Sequence, residues 1–143
     1  MENNLLRILD PDMFSNLKHL KRLSLRSNQL TILRNHFFEH LTHLDILYLE
    51  ENDIFRIEDK TFSSLTSLHT LGLSKNKIAL LSSSVFRGLW NLTHLNLMHN
   101  QIVGISPTAF SDLKSLRSLD LRYNVFRSLH KETLRSLPFL NYM

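Results

Sequence analysis

The stretch His36-Phe37-Phe38-Glu39-His40 has residue types and spacing closest to those of a reaction centre. On a long helix, H-x-x-E-H sets two imidazoles to hold zinc while the carboxylate serves as general base toward the metal's water. His43 is near enough in sequence to be weighed as a third neighbour. Other chemistry has little to work with. Three glycines supply no phosphate-cradling loop, and no Ser, His and Asp set stands out from the many residues of these types. Eight histidines invite a pH switch, His94 and His99 above all, because they flank one strand-like segment.

Whether any of these side chains meet depends on the elements that carry them, and those elements repeat. Asparagine recurs every 24 residues at Asn4, Asn28, Asn52, Asn76, Asn100 and Asn124, with no insertion or deletion. Around each full repeat the same apolar frame returns: Leu20, Leu23, Leu25, Leu30, Leu33, Phe38 and Leu41 in the first, and Leu44, Leu47, Leu49, Ile54, Ile57, Phe62 and Leu65 in the second. The last repeat departs once, with Leu134 in the Phe position, and it keeps Phe126 and Leu129 in the frame. A strict period of this length marks a solenoid of stacked supersecondary units. The alternation Leu23, Leu25 turns two side chains to one face of a short strand and leaves Arg22, Ser24 and Arg26 on the other. The register makes Phe38 and Leu41 core residues, so residues 36–40 lie on the return of a coil, too short for the helix that the zinc motif needs. The histidines scatter over many register positions, as solvated side chains do. The sequence therefore predicts no catalytic centre, no metal and no cofactor.

The frame reads L-x-x-L-x-L-x-x-N-x-L and resembles the leucine-rich repeat in its 24-residue form with a late Phe. That resemblance implies an α/β solenoid, a horseshoe segment with a parallel β-sheet on the concave face and mostly irregular or short 3-10 turns on the convex face. One domain over residues 1–143 is expected, with a partial repeat at 1–19, full repeats at 20–43, 44–67, 68–91, 92–115 and 116–139, and the start of another at 140–143. Complete extracellular members carry disulfide-bearing caps, whereas this chain has no cysteine and starts and stops inside a repeat. The expectation is a segment of a longer protein, able to self-associate through uncapped ends. The Phe-containing form is similar to Toll-like receptor ectodomains, repeat-bearing hormone receptors and matrix proteoglycans. It implies an extracellular or membrane-protein ectodomain, with a cytoplasmic scaffold as the alternative. No run is long enough to span a membrane.

In such a repeat the frame is committed to packing, so recognition must use the outward strand positions. The partner-binding candidates on the concave face are Arg22, Arg26, Ile46, Tyr48, Met98, His99, Arg122 and Tyr123. Arg26 beside Glu50 and Lys75 beside Glu51 are expected to neutralise each other laterally. Nucleic acid is therefore not the expected ligand, despite a net charge of +4. Met98, His99, Arg122 and Tyr123 gather with no evident charge partner. Asn28, Asn52, Asn76, Asn100 and Asn124 should form a structural ladder, each bridging its own turn and the next. Asn91-Leu92-Thr93 is a glycosylation acceptor sequence. These features predict a noncatalytic module that presents its sheet to a protein ligand or co-receptor, in innate immune or other signalling. The alternatives are an intracellular scaffold and a secreted matrix protein.

Overall fold

A computed structural model describes residues 1–142. Five three-residue strands occupy the Leu-x-Leu segments: β1 (Arg22–Ser24), β3 (Ile46–Tyr48), β5 (Thr70–Gly72), β7 (His94–Asn96) and β9 (Ser118–Asp120). They form one parallel sheet in the order β1-β3-β5-β7-β9, with Leu23, Leu47, Leu71, Leu95 and Leu119 in register. Each strand therefore pairs with its counterpart one repeat away, and the coils stack as a solenoid. Ser118 bridges to Tyr142 beyond β9.

The alternation predicted for the strands is present: Leu23, Leu25, Leu47, Leu49, Leu71, Leu73, Leu95, Leu97, Leu119 and Leu121 are all buried. Across the core, Phe14, Phe38, Phe62, Phe86 and Phe110 form a column with successive ring centroids 6.3, 6.0, 6.4 and 5.9 Å apart. Because each Phe holds the same place in its repeat, the rings stack near parallel, at interplanar angles of 22°, 11°, 9° and 23°.

The asparagines seal the turn after each strand. Asn52 Nδ2 donates to Leu49 O and Glu50 O of its own coil and to Leu25 O of the preceding coil, while its Oδ1 accepts from Leu30 N. Asn76 and Asn100 repeat this set one and two coils on. The bridge runs to the preceding coil, not the following one as the sequence suggested. Asn28, Asn52, Asn76 and Asn100 are buried, and Asn124 is partly so.

The return side consists mostly of turns, with a 3-10 turn at Pro11–Phe14. Two short parallel pairs were not anticipated: β2 (Ile32–Leu33) with β4 (Arg56–Ile57), and β6 (Leu80–Leu81) with β8 (Gly104–Ile105). A short helix, α1 (Lys131–Arg135), carries the Leu134 that stands in for Phe. Its coil also departs from the expected frame at Leu129, which is 37% exposed instead of buried. The residues corresponding to Leu129 lie in β2, β4, β6 and β8, whereas Leu129 belongs to no strand, so no ladder turns it inward.

Candidate functional site

The outward side of the five-stranded sheet presents parallel rows of side chains. One row holds Ser24, Tyr48, Gly72, Asn96 and Asp120, and another holds Arg22, Ile46, Thr70, His94 and Ser118. The eight candidates separate into two groups at opposite ends of this surface.

In the first group Arg26 lies over the Tyr48 ring, 4.1 Å from its centroid. Its guanidinium is bidentate on Glu50, Nε to Oε2 at 2.9 Å and Nη2 to Oε1 at 2.8 Å. That hydrogen-bonded carboxylate raises the Arg26 pKa above its ordinary value against the opposing effect of burial. Arg22 and Ile46 are register partners beside them. The neighbouring row carries a second lateral pair, in which Glu51 accepts from Ser27 Oγ at 3.0 Å and Lys75 Nζ at 2.5 Å. Lys75, then the Ser27 hydroxyl, hold the Glu51 carboxyl below its ordinary range. Both charge pairings read from the sequence are thus in place.

In the second group His99 and Tyr123 stack with centroids 4.3 Å apart and planes 4° from parallel. Arg122 Nη2 reaches Met98 Sδ at 3.7 Å. The sequence reading needs one correction here, because Arg122 has a charge partner: its Nη2 lies 2.7 Å from Asp120 Oδ2 in its own coil. Arg122 follows the last residue of β9 by only two positions, so this pair forms along the chain and not between coils. Arg122 lowers the Asp120 pKa below its ordinary 3.8, chiefly through side-chain hydrogen bonds and against partial burial.

A depression of about 310 Å³ separates the groups, and most of its lining was absent from the candidates. Thr70, Gly72, His94, Asn96, Ser118 and Asp120 form it together with Arg26, Tyr48 and Glu50. Its floor is Glu50, only 8% exposed, whose carboxylate occupies the space over Gly72 where a side chain would stand. A glycine inside a strand was the available signal, since it marks a close approach.

The H-x-x-E-H stretch lies in a turn, where His36 Nδ1 meets Glu39 Oε2 at 2.8 Å and His40 Nε2 meets Glu39 Oε1 at 3.3 Å. Among the described residues no group of three His, Cys, Asp or Glu side chains is placed to hold a metal ion. His94 is exposed and bonds Thr93 Oγ1, apart from the stacked His99. Asn91 is exposed just before β7 and donates from Nδ2 to Thr66 O at 2.8 Å. Among the described residues no helix is long and apolar enough to cross a membrane.

This architecture is shared with solved structures. The Toll–Spätzle complex of Drosophila, in its glycosylated form, contains a chain that superposes with TM-score 0.90 at 25% identity, over 96% of this chain and 20% of that one. A second structure of that complex gives 0.82 at 30% identity, over 85% of this chain and 16% of that one. A TLR13 chain in complex with ssRNA13 gives 0.67 at 28% identity, over 98% and 24%. The chain thus spans at most about a quarter of each of these neighbours. A comparison with curated proteins gives no significant match. The pattern of the family described as "Leucine rich repeat" matches residues 1–54, 42–102 and 91–143, so repeat upon repeat is accounted for over the whole length. With buried strand leucines, an asparagine ladder and a phenylalanine column in the same register, the chain belongs to the leucine-rich repeat family.

Proposed function

We propose that this chain is a noncatalytic protein-recognition segment of a cell-surface or secreted receptor-type protein, which receives a protein ligand or co-receptor on the outward face of its five-stranded sheet. The observation that carries this reading is the division of labour on the strands. The inward leucines of all five strands are spent on the core, while the outward rows hold two preorganised groups, Arg26 on Tyr48 and His99 on Tyr123, around a shallow depression. Aromatic and Arg side chains held in place before binding lose little entropy on docking, which is the character of interface anchors. The likeness to Toll, solved with Spätzle, supports a protein ligand and an extracellular setting. The likeness to TLR13, solved with RNA, raises nucleic acid as a second reading. It is disfavoured here because Arg26, Lys75 and Arg122 are each already paired with a carboxylate of the chain. Self-association through the first and last coils belongs to the same proposal, since Leu5 and Ile8 in the one and Phe139 and Tyr142 in the other are largely exposed.

The test places a photo-crosslinking residue at Tyr48, Met98 or Tyr123, and at the exposed return-side Arg87 as control, in protein displayed on cells bathed in secreted proteins of the same organism. Adducts of one discrete protein mass are expected at the three sheet positions and not at residue 87. Equal capture at all four, or none on the sheet, rejects the sheet as the recognition surface.

A further inference from the structure

The chain's one tryptophan and its one glycosylation acceptor are consecutive, Trp90 and Asn91. They are the central residues of a turn closed by Leu92 N donating to Leu89 O at 3.1 Å. Leu89 and Leu92 are both fully buried, so the two corner side chains between them project outward, with Trp90 49% exposed. Trp90 and Leu80 are the large apolar side chains that this coil leaves exposed, and of the two only Trp90 joins a flat apolar face to a polar N–H.

The hydrogen bond of Asn91 Nδ2 to Thr66 O points back to the preceding coil. A glycosylated asparagine keeps one N–H, so this bond survives modification and directs the second valence of the nitrogen away from Thr66. On the other side of Trp90, toward the next coil, lies a recess of about 250 Å³ lined by Ser83, Ser84, Arg87, Trp90, Thr108 and Asp112. Asp112 Oδ2 accepts from Gly88 N at 2.9 Å, leaving its other oxygen for a further donor. An indole face rimmed by a carboxylate, a guanidinium and hydroxyls complements a sugar ring, which offers C–H groups on one face and hydroxyls around its edge.

We propose that Asn91 carries an N-linked glycan whose first sugars fold over Trp90 into this recess. The proposal rests on the extracellular reading above. Attachment takes a lipid-linked pyrophosphoryl oligosaccharide from the secretory pathway: Asn91 Nδ2 bonds to the anomeric carbon, the bond from that carbon to the pyrophosphate oxygen breaks, and one amide proton leaves with the pyrophosphate. The glycan lies on the return side and leaves the sheet face open.

The experiment secretes the 143-residue chain from mammalian cells and compares it with Asn91→Gln by intact mass, by acrylamide quenching of the single tryptophan and by thermal melting. The parent is expected to carry one glycan. Covering one face of an indole that is 49% exposed lowers its quenching constant about twofold relative to Asn91→Gln. A higher melting temperature is expected with the glycan, and Trp90→Ala removes that gain. An unmodified mass overturns the acceptor assignment. A glycan with unchanged quenching, or a thermal gain that persists in Trp90→Ala, overturns the packing while the extracellular reading stands. Failure of the recognition reading shows separately, in the crosslinks at the sheet.

Discussion

Glu50 is 8% exposed, and a carboxylate at that depth persists only where it is paired and given room. Arg26 supplies the pairing through two hydrogen bonds, and Gly72 supplies the room. A Cβ on residue 72 would stand 2.1 Å from Glu50 Oε1 and 2.4 Å from Cδ, so Gly72→Ala must expel the carboxylate from its site. That substitution is expected to cost about 1–3 kcal/mol of unfolding free energy. In the Glu50→Ala background the same substitution is expected to be nearly neutral, a coupling that a double-mutant cycle by urea denaturation measures directly. Equal costs in both backgrounds would show that Gly72 is needed for its backbone and not for the space it leaves. The lateral Arg26–Glu50 pairing was legible in the sequence, because the repeat places the two residues at the same position of adjacent coils, just past β1 and β3. Its depth was not, because depth depends on the missing side chain one coil further on. Asp120 with Arg122 was missed for a related reason, since comparison across coils overlooks the partner two residues back.

At the scale of the element, the turn leaving each strand is a left-handed residue repeated coil after coil: Ser27, Glu51, Lys75, His99 and Tyr123 have φ of 51°, 57°, 55°, 53° and 56°. Their residue types carry no sign of this conformation, which favours Gly or Asn, so the sequence could not disclose it. The geometry serves the sheet. Ser27 N, Glu51 N, Lys75 N and His99 N each donate to a carbonyl of the next coil at 2.9–3.1 Å, and the chain then turns its asparagine onto the strand carbonyls. Because His99 and Tyr123 share the same backbone conformation one coil apart, their rings fall parallel. Tyr123→Gly relieves about 1–2 kcal/mol of left-handed strain and loses a stack of about 0.5–1.5 kcal/mol, so the two largely offset and stability is expected to move by no more than about 1.5 kcal/mol. Partner affinity, in contrast, is expected to fall about tenfold or more if Tyr123 is an anchor of the proposed interface. Denaturation and binding measured on the same variant separate the two effects. A loss of several kcal/mol in stability would mean that Tyr123 is a structural residue.

For the whole molecule, the 24-residue step made the stacking order, the strand register and the Phe column readable before any coordinates. It did so because each position meets only its counterparts one coil away. Positions whose burial depends on a departing neighbour escaped it, as at Leu129 where the return-side ladder is absent. The same one-dimensional logic predicts how damage spreads. Phe62 is fully buried and stacks on Phe38 at 6.0 Å and Phe86 at 6.4 Å, so it belongs to two interfaces at once. Phe62→Ala is expected to cost about 3–5 kcal/mol. If stability is a sum of coil and interface energies, the loss is local. Hydrogen exchange should then accelerate at Leu25, Leu49 and Leu73, whose amides donate to the next coil, while Leu97, two coils beyond the cavity's own strand, changes least. Uniform acceleration from Leu25 to Leu97 would instead mean that the stack opens as one cooperative unit, and that interfacial coupling outweighs the stability of any single coil.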